Sequence, residues 1–482
     1  MTFLTTTHNI NISAPINQLG YGLTGLNLSM ALHQLNNSVA LFSIGNVEAP
    51  PQYHEDLKQL FSNSRFPDFN APSIRIWHQH DMTQFVGKGA KFGFPIFELD
   101  RFTDLEKHHL HWLDNWMVAS EWAKGILVSQ LKDIRGEDYV KEHTYVIPLG
   151  VDRDIFKEGV SNKKETVFLN VGKWEIRKGH DVIVEAFNKA FNQDDDVELM
   201  MLCDNPFNSE EDNFKWERLY RSSKLGDKIN IVPRQQTQQD VCNIMTQADC
   251  GVFPARAEGW NLDLLEMLSC GKSTIATNYS AHTEFCDEKN CMLVETTEMV
   301  DAQDGKWFRG QGQWAALKED QISQIADYMR EVHEKKKKGE LNINQAGVET
   351  AKRFSWSNSI RYEGNSTDKE KVEMKRPTPL ITIDWDSIIP DPPSNTNDVT
   401  KKDLKEVEEL SRGVSYEEFD FIMLVDDDTA NLFKSYAKKA GLDYPSELID
   451  DVMHDIDMVI LNLKYKFRRP RPFQVAPHLG YV

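Results

Sequence analysis

The sequence predicts an α/β protein: two doubly wound parallel-sheet domains followed by a small, mainly helical C-terminal extension. Three observations predict this. Short, nearly all-apolar segments alternate with helix-period segments from about residue 8 to residue 360. Those apolar segments are too many for one compact sheet. From residue 361 the alternation breaks at Pro377, Pro379, Pro390, Pro392 and Pro393, and helix-period sequence resumes near residue 400.

Taken in order, the strands expected are Val39–Ile44, Ser73–Trp77, Trp116–Ala119, Thr144–Ile147, Thr166–Val171, Glu198–Leu202, Ile229–Val232, Cys250–Pro254 and Ser273–Thr277. Helices are expected over Leu26–Leu35, Ala123–Lys132, Asp181–Phe191 and Gln239–Gln247. The junction falls near Pro148–Gly159. The chain therefore divides into domains at 1–155 and 156–360, a linker at 361–400 and a helical extension at 401–482. Lys335–Lys338 reads as a solvated helix end.

Of the 482 residues, 55 are Lys or Arg and 75 are Asp or Glu, a net charge of −20. That balance disfavours a dedicated binder of nucleic acid or anionic membrane, but leaves room for a local basic pocket. The longest apolar runs, such as Phe421–Val425, fall far short of the roughly 20 residues of a membrane helix, so no transmembrane segment is expected. The opening MTFLTTTHNINIS lacks a basic region followed by an apolar one, so no signal peptide is expected. Six cysteines without a C-x-x-C pair read as buried free thiols of a reducing compartment, and a cytoplasmic protein is expected. His108, His109 and His111 have no neighbour to complete a ligand set; they read as a helix surface, and no metal site is expected.

The most informative segment is Phe253–Glu266, FPARAEGWNLDLLE. A strand ends at Phe253-Pro254 and a helix begins near Asn261 or Leu262, with Asn261 as N-cap and Gly271 as the residue past its end. The amides of Gly259, Trp260, Asn261 and Leu262 then stand free at a helix N-terminus, which favours a phosphate. Gly259 removes a Cβ from the approach. Glu258 and Glu266 flank this anion site, where accepting hydrogen bonds from sugar hydroxyls gives carboxylates a role. The second segment, Asn170–His180, is a strand, then a loop with Gly172, Gly179 and three cations, then a helix. Its loop leaves a strand C-terminus, where open α/β sheets bind ligands, and Lys173 and Lys178 can neutralise a diphosphate as its charge grows.

These segments resemble retaining nucleotide-sugar glycosyltransferases of family 4. Glu258-G-W-N-L-D-L-L-Glu266 is similar to the family's E-x7-E pattern, and Gly172-K-W-E-I-R-K-Gly179 to its G-R-x-x-x-x-K-G loop. Ile147-P-L-G-V-Asp152 resembles the inter-domain P-x-G-V-D. Cys270-G-K-S-T-I-Ala276 with Tyr279-S-A-H-T-Glu284 resembles the segment after the second Glu, and Asn17-Q-L-G-Y-G-L-T-Gly25 the N-terminal glycine loop. The resemblance covers about residues 8–360 and implies the GT-B fold, two Rossmann-like domains facing across a cleft. It implies that Lys173 and Lys178 contact the donor diphosphate, that Glu266 holds ribose hydroxyls, and that Glu258 and the following amides contact the sugar and distal phosphate. Gly22 would approach the diphosphate from the other domain. Such enzymes retain anomeric configuration and need neither metal nor cofactor, the nucleotide-diphosphate sugar being a co-substrate. This sequence departs from the pattern at Lys173, usually Arg, at Lys272-Ser273, at Cys203-Asp204-Asn205 near the expected base, and in its separated N-terminal glycines.

On the acceptor side, Trp77-His78-Gln79-His80-Asp81 and Phe94–Asp100 follow likely strand positions. His80, then Glu98 and His78, read either as acceptor or sugar contacts or as bridges between loops. The chemistry expected is front-face substitution. The departing diphosphate gathers charge against Lys173, Lys178 and the amides, and the acceptor hydroxyl attacks from the same face and passes its proton to the phosphate. Domain closure excludes water. No protein nucleophile is apparent. The acceptor, a glycan, lipid-linked sugar or protein, is left open, as are the sugar and base. A GT-B hydrolase or epimerase and an inactive sugar-nucleotide-binding protein are the competing readings.

Near the end, Lys464, six residues, then Arg471-Pro472 resembles the first motif of the type 2 phosphatidic acid phosphatase superfamily, whose cations bind phosphate. The superfamily's later motifs are missing from the sequence, which implies an incomplete phosphatase-like fragment, inactive alone. A basic helix end is the other reading. Asp426-Asp427-Asp428 reads as a helical acidic face.

Overall fold

The computed structural model describes residues 9–35 and 37–360. The linker, the helical extension, Asp426–Asp428 and the Lys464–Pro472 motif lie outside the described residues.

The first sheet comprises β1 (Asn9–Ile16), β2 (Ser38–Val47), β3 (Ser73–Ile76), β4 (Lys91–Phe94), β5 (Asn115–Val118) and β6 (Thr144–Val146). All its pairings are parallel, in the order β2-β1-β3-β4-β5-β6. The helices of this half are α1 (Gly20–Gln34), α2 (His54–Asn63), α3 (Asp104–Leu110), α4 (Glu121–Arg135) and α5 (Glu137–Glu142). The second sheet comprises β7 (Thr166–Gly172), β8 (Val197–Cys203), β9 (Ile229–Ile231), β10 (Cys250–Phe253), β11 (Ser273–Thr277) and β12 (Met292–Val294). It is also parallel throughout, in the order β12-β11-β10-β7-β8-β9. Its helices are α6 (His180–Ala190), α7 (Glu210–Arg221), α8 (Gln238–Gln247), α9 (Leu262–Ser269), α10 (Glu319–Lys337), α11 (Gln345–Arg353) and α12 (Trp356–Ile360). An antiparallel hairpin, β13 (Met299–Gln303) and β14 (Arg309–Ala315), follows the second sheet.

All nine expected strands and four expected helices are present, with ends shifted by a few residues. Runs such as TVFLNVG in β7 are apolar because helices cover both faces of a parallel sheet. α12 packs on α1 and α10 on α6.

Five strands fall outside the nine expected ranges, and each has a reason. β1, NINISAPI, carries Asn and Ser where strands prefer β-branched residues, yet it is central in its sheet. Asn11 is nevertheless buried, its amide donating to the Asp68 carbonyl at 2.8 Å. β4 contains Gly93, where a Cβ would sit 2.3 Å from Leu113 Cδ1, so a larger residue would make Leu113 shift. β12 has only three residues. β13 and β14 include Asp301, Gly310 and Gly312, residues that read as loop.

The glycine segment Asn17–Gly25 needs correction. It is not a loop before a helix: α1 begins at Gly20, so Gly22 and Gly25 lie inside its first two turns. A Cβ on Gly22 would fall 2.4 Å from the Asn17 carbonyl oxygen, and one on Gly25 would fall 2.3 Å from that of Pro15. These glycines admit the chain's own backbone.

Both sheets reverse their strand order around their first strand. In the second sheet β7 leads to β8 and β9 on one side, while its other neighbour is β10. The loops leaving β7 and β10 therefore diverge and leave a crevice at the C-terminal edge. In the first sheet β1 and β3 flank the equivalent point. This topology gathers the loops at 173–179, 254–261, 17–20 and 77–90.

Candidate active site

The loop after β10 ends in a well-defined helix start. Asn261 is the N-cap of α9 and adopts the left-handed conformation, φ 87°, which Asn tolerates better than most residues. Its side-chain oxygen accepts from the Leu264 amide at 3.2 Å, and its side-chain NH donates to His282 Nε2 at 2.9 Å. His282 Nδ1 then donates to the Thr277 carbonyl at 3.0 Å, which defines its tautomer. α9 closes with Gly271 at φ 71°, Gly271 donating to Leu268 O and Lys272 to Met267 O, a Schellman ending.

The helix start leaves backbone donors without partners. Among the described residues no acceptor meets the amides of Gly259, Trp260, Asn261 or Leu262. Residues 259 to 261 are buried, so these are donors withdrawn from water and aimed at a place where nothing of the chain accepts.

The Gly259 Cβ expectation differs from the geometry, whereas Trp260 contributes its amide as expected. A Cβ on Gly259 would sit 2.6 Å from Ile96 Cγ2, so this glycine admits the 96–100 segment of the first sheet's half. The Trp260 side chain is buried against Phe285 and Phe354, so only its amide is directed to the site.

The loop after β7 supplies the cations. Gly172, at φ 148°, has Lys178 Cδ 3.0 Å from where its Cβ would be, and so makes room for the Lys178 side chain. Lys178 Nζ donates to Glu258 Oε1 at 2.8 Å, while Arg177 reaches Glu258 Oε2 at 2.7 Å. Arg177 also reaches Glu175 Oε2 at 2.7 Å and the Ala257 carbonyl at 2.8 Å. Lys173 pairs with Glu175 Oε1 at 3.0 Å and lies 5.4 Å from the Phe207 ring centroid. Lys173, Lys178 and Glu258 therefore converge.

Arg177 carries the centre of this network, yet the sequence reading gave it no individual role. Glu175 and Arg177 were visible as alternating charges in the loop, which was the available signal. Beneath the loop, His180 Nε2 bonds Asn170 Oδ1 at 2.8 Å and the Glu175 amide donates to His180 Nδ1 at 3.0 Å, holding the loop on β7.

Electrostatics separates the carboxyl groups. Burial would raise Glu258, but Arg177 and Lys178 outweigh it and hold the group far below the usual carboxylate range. Glu175 is lowered in the same way, burial opposing Arg177 and Lys173. Asp263, in the first turn of α9, is pushed up to about 6 by burial, with Lys178 opposing and Glu258 adding. Glu266 is buried, meets no hydrogen-bond partner among the described residues, and is raised by burial and by Asp263. It is an acid that the chain itself leaves unsatisfied.

From the first sheet's half come His78, His80 and Glu98. The His78 and His80 rings stack at 5.2 Å, and Tyr21 lies 4.7 Å from His78. Arg75 is buried and holds their loop through Asp81, at 2.8 Å. Burial, His80 and Lys173 lower His78 to about 4, so it is neutral near pH 7. His80 is exposed. Glu98 approaches Arg177 to 3.9 Å. Gly22 is turned onto Asn17, as described above. Away from the site, all six cysteines are buried and free. Among the described residues no helix is long and apolar enough to cross a membrane.

Comparison with known proteins bears on this arrangement. Residues 151–305 match the family model described as glycosyl transferases group 1. No curated protein matches the sequence. Among solved structures, a glycosyltransferase from Rickettsia africae is similar at TM-score 0.54 and 14% identity, over 77% of this chain and 100% of that one. Anabaena HepE in complex with UDP-glucose is similar at TM-score 0.53 and 14% identity, over 73% of this chain and 98% of that one. The catalytic domain of starch synthase IV from Arabidopsis thaliana, bound to ADP and acarbose, is similar at TM-score 0.51 and 11% identity, over 74% and 98%. The chain thus has the GT-B fold of these proteins, and the stretch from Val151 to Gly305 carries the sequence pattern of glycosyl transferases group 1.

Proposed function

We propose that the chain is a retaining glycosyltransferase of family 4 type, moving a sugar from a nucleotide-diphosphate sugar to an acceptor hydroxyl. The observation that carries this reading is the row of unpartnered amides from Gly259 to Leu262 beside Lys173, Arg177 and Lys178, at the switch point of a parallel sheet. Buried donors and cations of this kind suit a diphosphate. The unsatisfied, buried Glu266 suits a hydroxyl pair such as that of ribose, and Glu258, held ionised, suits sugar hydroxyls.

In the reaction, the bond from the anomeric carbon to the phosphate loosens first. The leaving diphosphate gathers charge against Lys173, Lys178 and the α9 amides. The acceptor attacks on the face the diphosphate leaves, so configuration is retained. Neither a metal nor a cofactor enters this scheme. His78 and His80 line the side from which an acceptor or donor sugar would be met. The bound UDP-glucose of one similar structure and the ADP of another leave the base open. Six buried free thiols support a reducing compartment such as the cytoplasm.

A thermal-shift screen of UDP-, GDP- and ADP-sugars tests the reading, because a ligand of the native state raises the melting temperature by mass action. Product analysis with and without acceptor completes it. Free sugar or an epimer as the only product assigns the chain to hydrolysis or epimerisation, and binding without turnover to a sugar-nucleotide-binding protein.

A further inference from the structure

The β13–β14 hairpin is paired to neither parallel sheet. Its strands bond only each other, and an isolated two-stranded hairpin is marginal in water. Its support comes from elsewhere. Ala302 and Trp314 are buried in one cluster with Leu99 of the first sheet's half and Ala257 of the loop after β10, and Ile176 of the loop after β7 packs against them. The Gln313 amide donates to Asp100 Oδ1 at 2.7 Å. Gly312 permits this approach, because a Cβ there would stand 3.1 Å from Asp100 Oδ1 and 3.2 Å from Leu99 Cβ. The apolar face of the hairpin is therefore kept from water in part by the opposite half.

The same hairpin is tied to the loops that carry the diphosphate site. The Ala315 amide donates to the Arg256 carbonyl at 3.0 Å, and the Arg256 amide to the Arg177 carbonyl at 2.7 Å. The Arg256 guanidinium donates to both oxygens of Asp181, in the first turn of α6, at 2.7 Å. At the tip, Asp304 Oδ1 accepts from the amides of Lys306, Trp307 and Phe308 at 2.8, 2.8 and 2.9 Å, which fixes the turn. Lys306 Nζ then donates to Asn208 Oδ1 at 2.6 Å, next to Phe207, the ring beside Lys173. β14 lies beyond the family match, which ends at Gly305 in the turn of the hairpin.

We propose that this hairpin is the latch of the cleft and that Asp100 is its positioning residue, an inference that deepens the transferase reading above and rests on it for the ligand. Opening the cleft breaks the bond from Gln313 to Asp100 and uncovers Leu99, Ala302 and Trp314. The latch thus favours the arrangement in which Ile96 meets Gly259 and Lys173 faces His78. A donor held by groups of both halves binds that arrangement, so its apparent affinity scales with the fraction of chains that are latched. Asp100 touches no reacting atom. It acts through the hairpin on Arg256 and, through Arg256, on the loop of Lys173, Arg177 and Lys178.

The test compares the full wild-type chain with Asp100→Ala, which removes the acceptor oxygen, Asp100→Asn, which keeps one, and Gly312→Ala, which wedges the contact from the hairpin side. The distance between the halves is read by electron–electron resonance between nitroxides at Glu55→Cys and Glu210→Cys, both exposed and each in the helix after a strand of a different sheet. The native thiols are buried. Without nucleotide, Asp100→Ala and Gly312→Ala should show a larger long-distance population than wild type, and Asp100→Asn the wild-type distribution. Calorimetric affinity for UDP-glucose, GDP-mannose or ADP-glucose should fall by roughly tenfold or more in the first two variants and stay near wild type in Asp100→Asn. Wild-type distances or wild-type donor affinity in both Asp100→Ala and Gly312→Ala overturn the latch and leave the transferase standing. A loss in Asp100→Asn equal to that in Asp100→Ala also overturns it, because the accepting oxygen is then not what matters. If wild type binds none of the three donors, the transferase reading falls, and the distances alone decide the latch: a longer population in the two variants supports it, and unchanged distances overturn it.

Discussion

Arg177 and Glu258 form a buried ion pair of 2.7 Å, and Lys178 takes the other oxygen of the same carboxylate at 2.8 Å. The acid at the start of the E-x7-E pattern is thus a structural keystone as well as a candidate sugar ligand. Two buried cations thus share one carboxylate.

Removing Glu258 should therefore affect folding and activity together. Breaking a buried pair from one side costs about 3–5 kcal/mol, so Glu258→Ala should melt well below wild type. Lys173→Ala separates the two effects, because Lys173 is 37% exposed and Arg177 still covers Glu175. Its stability should change by at most about 1 kcal/mol. Nucleotide-sugar affinity should fall by about 10- to 100-fold, the worth of a charged hydrogen bond. Calorimetric titration checks this, and wild-type affinity in Lys173→Ala would remove Lys173 from the donor site.

Asp263 predicts a pH dependence. Its folded pKa is raised to about 6, above the roughly 3.9 of an unfolded chain. Between these values the folded state holds a proton that the unfolded state has released. Stability from this group therefore falls as pH rises through that window, with the loss complete above it. The whole effect is at most about 3 kcal/mol. Denaturant titrations at pH 4.5 and 7.5 should show wild type losing stability relative to Asp263→Asn as pH rises. Parallel curves would show that Asp263 titrates normally.

Gly172→Ala tests how Lys178 is placed. A Cβ would stand 3.0 Å from Lys178 Cδ, and the φ of 148° is unfavourable to any side chain. The backbone cost is about 1–3 kcal/mol, and Lys178 must swing from Glu258. The variant should fold, with a smaller donor-induced thermal shift than wild type. A shift of full size would mean that Lys178 can reach the diphosphate from another rotamer.

Asn261 should rank its own substitutions. Asn261→Gly keeps the left-handed conformation and loses only the cap and the His282 contact, whereas Asn261→Ala adds left-handed strain of about 1–2 kcal/mol. Alanine should thus be the less stable variant in urea denaturation. The reverse order would show that neither the cap nor the left-handed backbone at residue 261 penalises alanine.

The strands of both sheets were largely legible because parallel strands covered on both faces must be apolar, and the capping of α9 was legible because Asn261 and Gly271 sit where a helix needs them. β1 was not, because its buried Asn11 is satisfied by Asp68, a partner 57 residues away. The hairpin β13–β14 was not, because its reason lies in Leu99 and Asp100 of the other half. Lys178 and Glu258 stood out by pattern, but the centrality of Arg177 depends on a contact with Ala257 and Glu258, some 80 residues on.

By itself the sequence determined the alternation of elements, the helix ends, the two glycine-bearing loops and the residue types able to hold a diphosphate and hydroxyls, since each follows from local sterics and period. Only tertiary structure decided which charges meet, which glycines face backbone and which carboxyls are raised or lowered in pKa. Those depend on the strand order that brings the ends of β7 and β10 together, and on burial, which strengthens each charge–charge interaction and penalises each unpaired one.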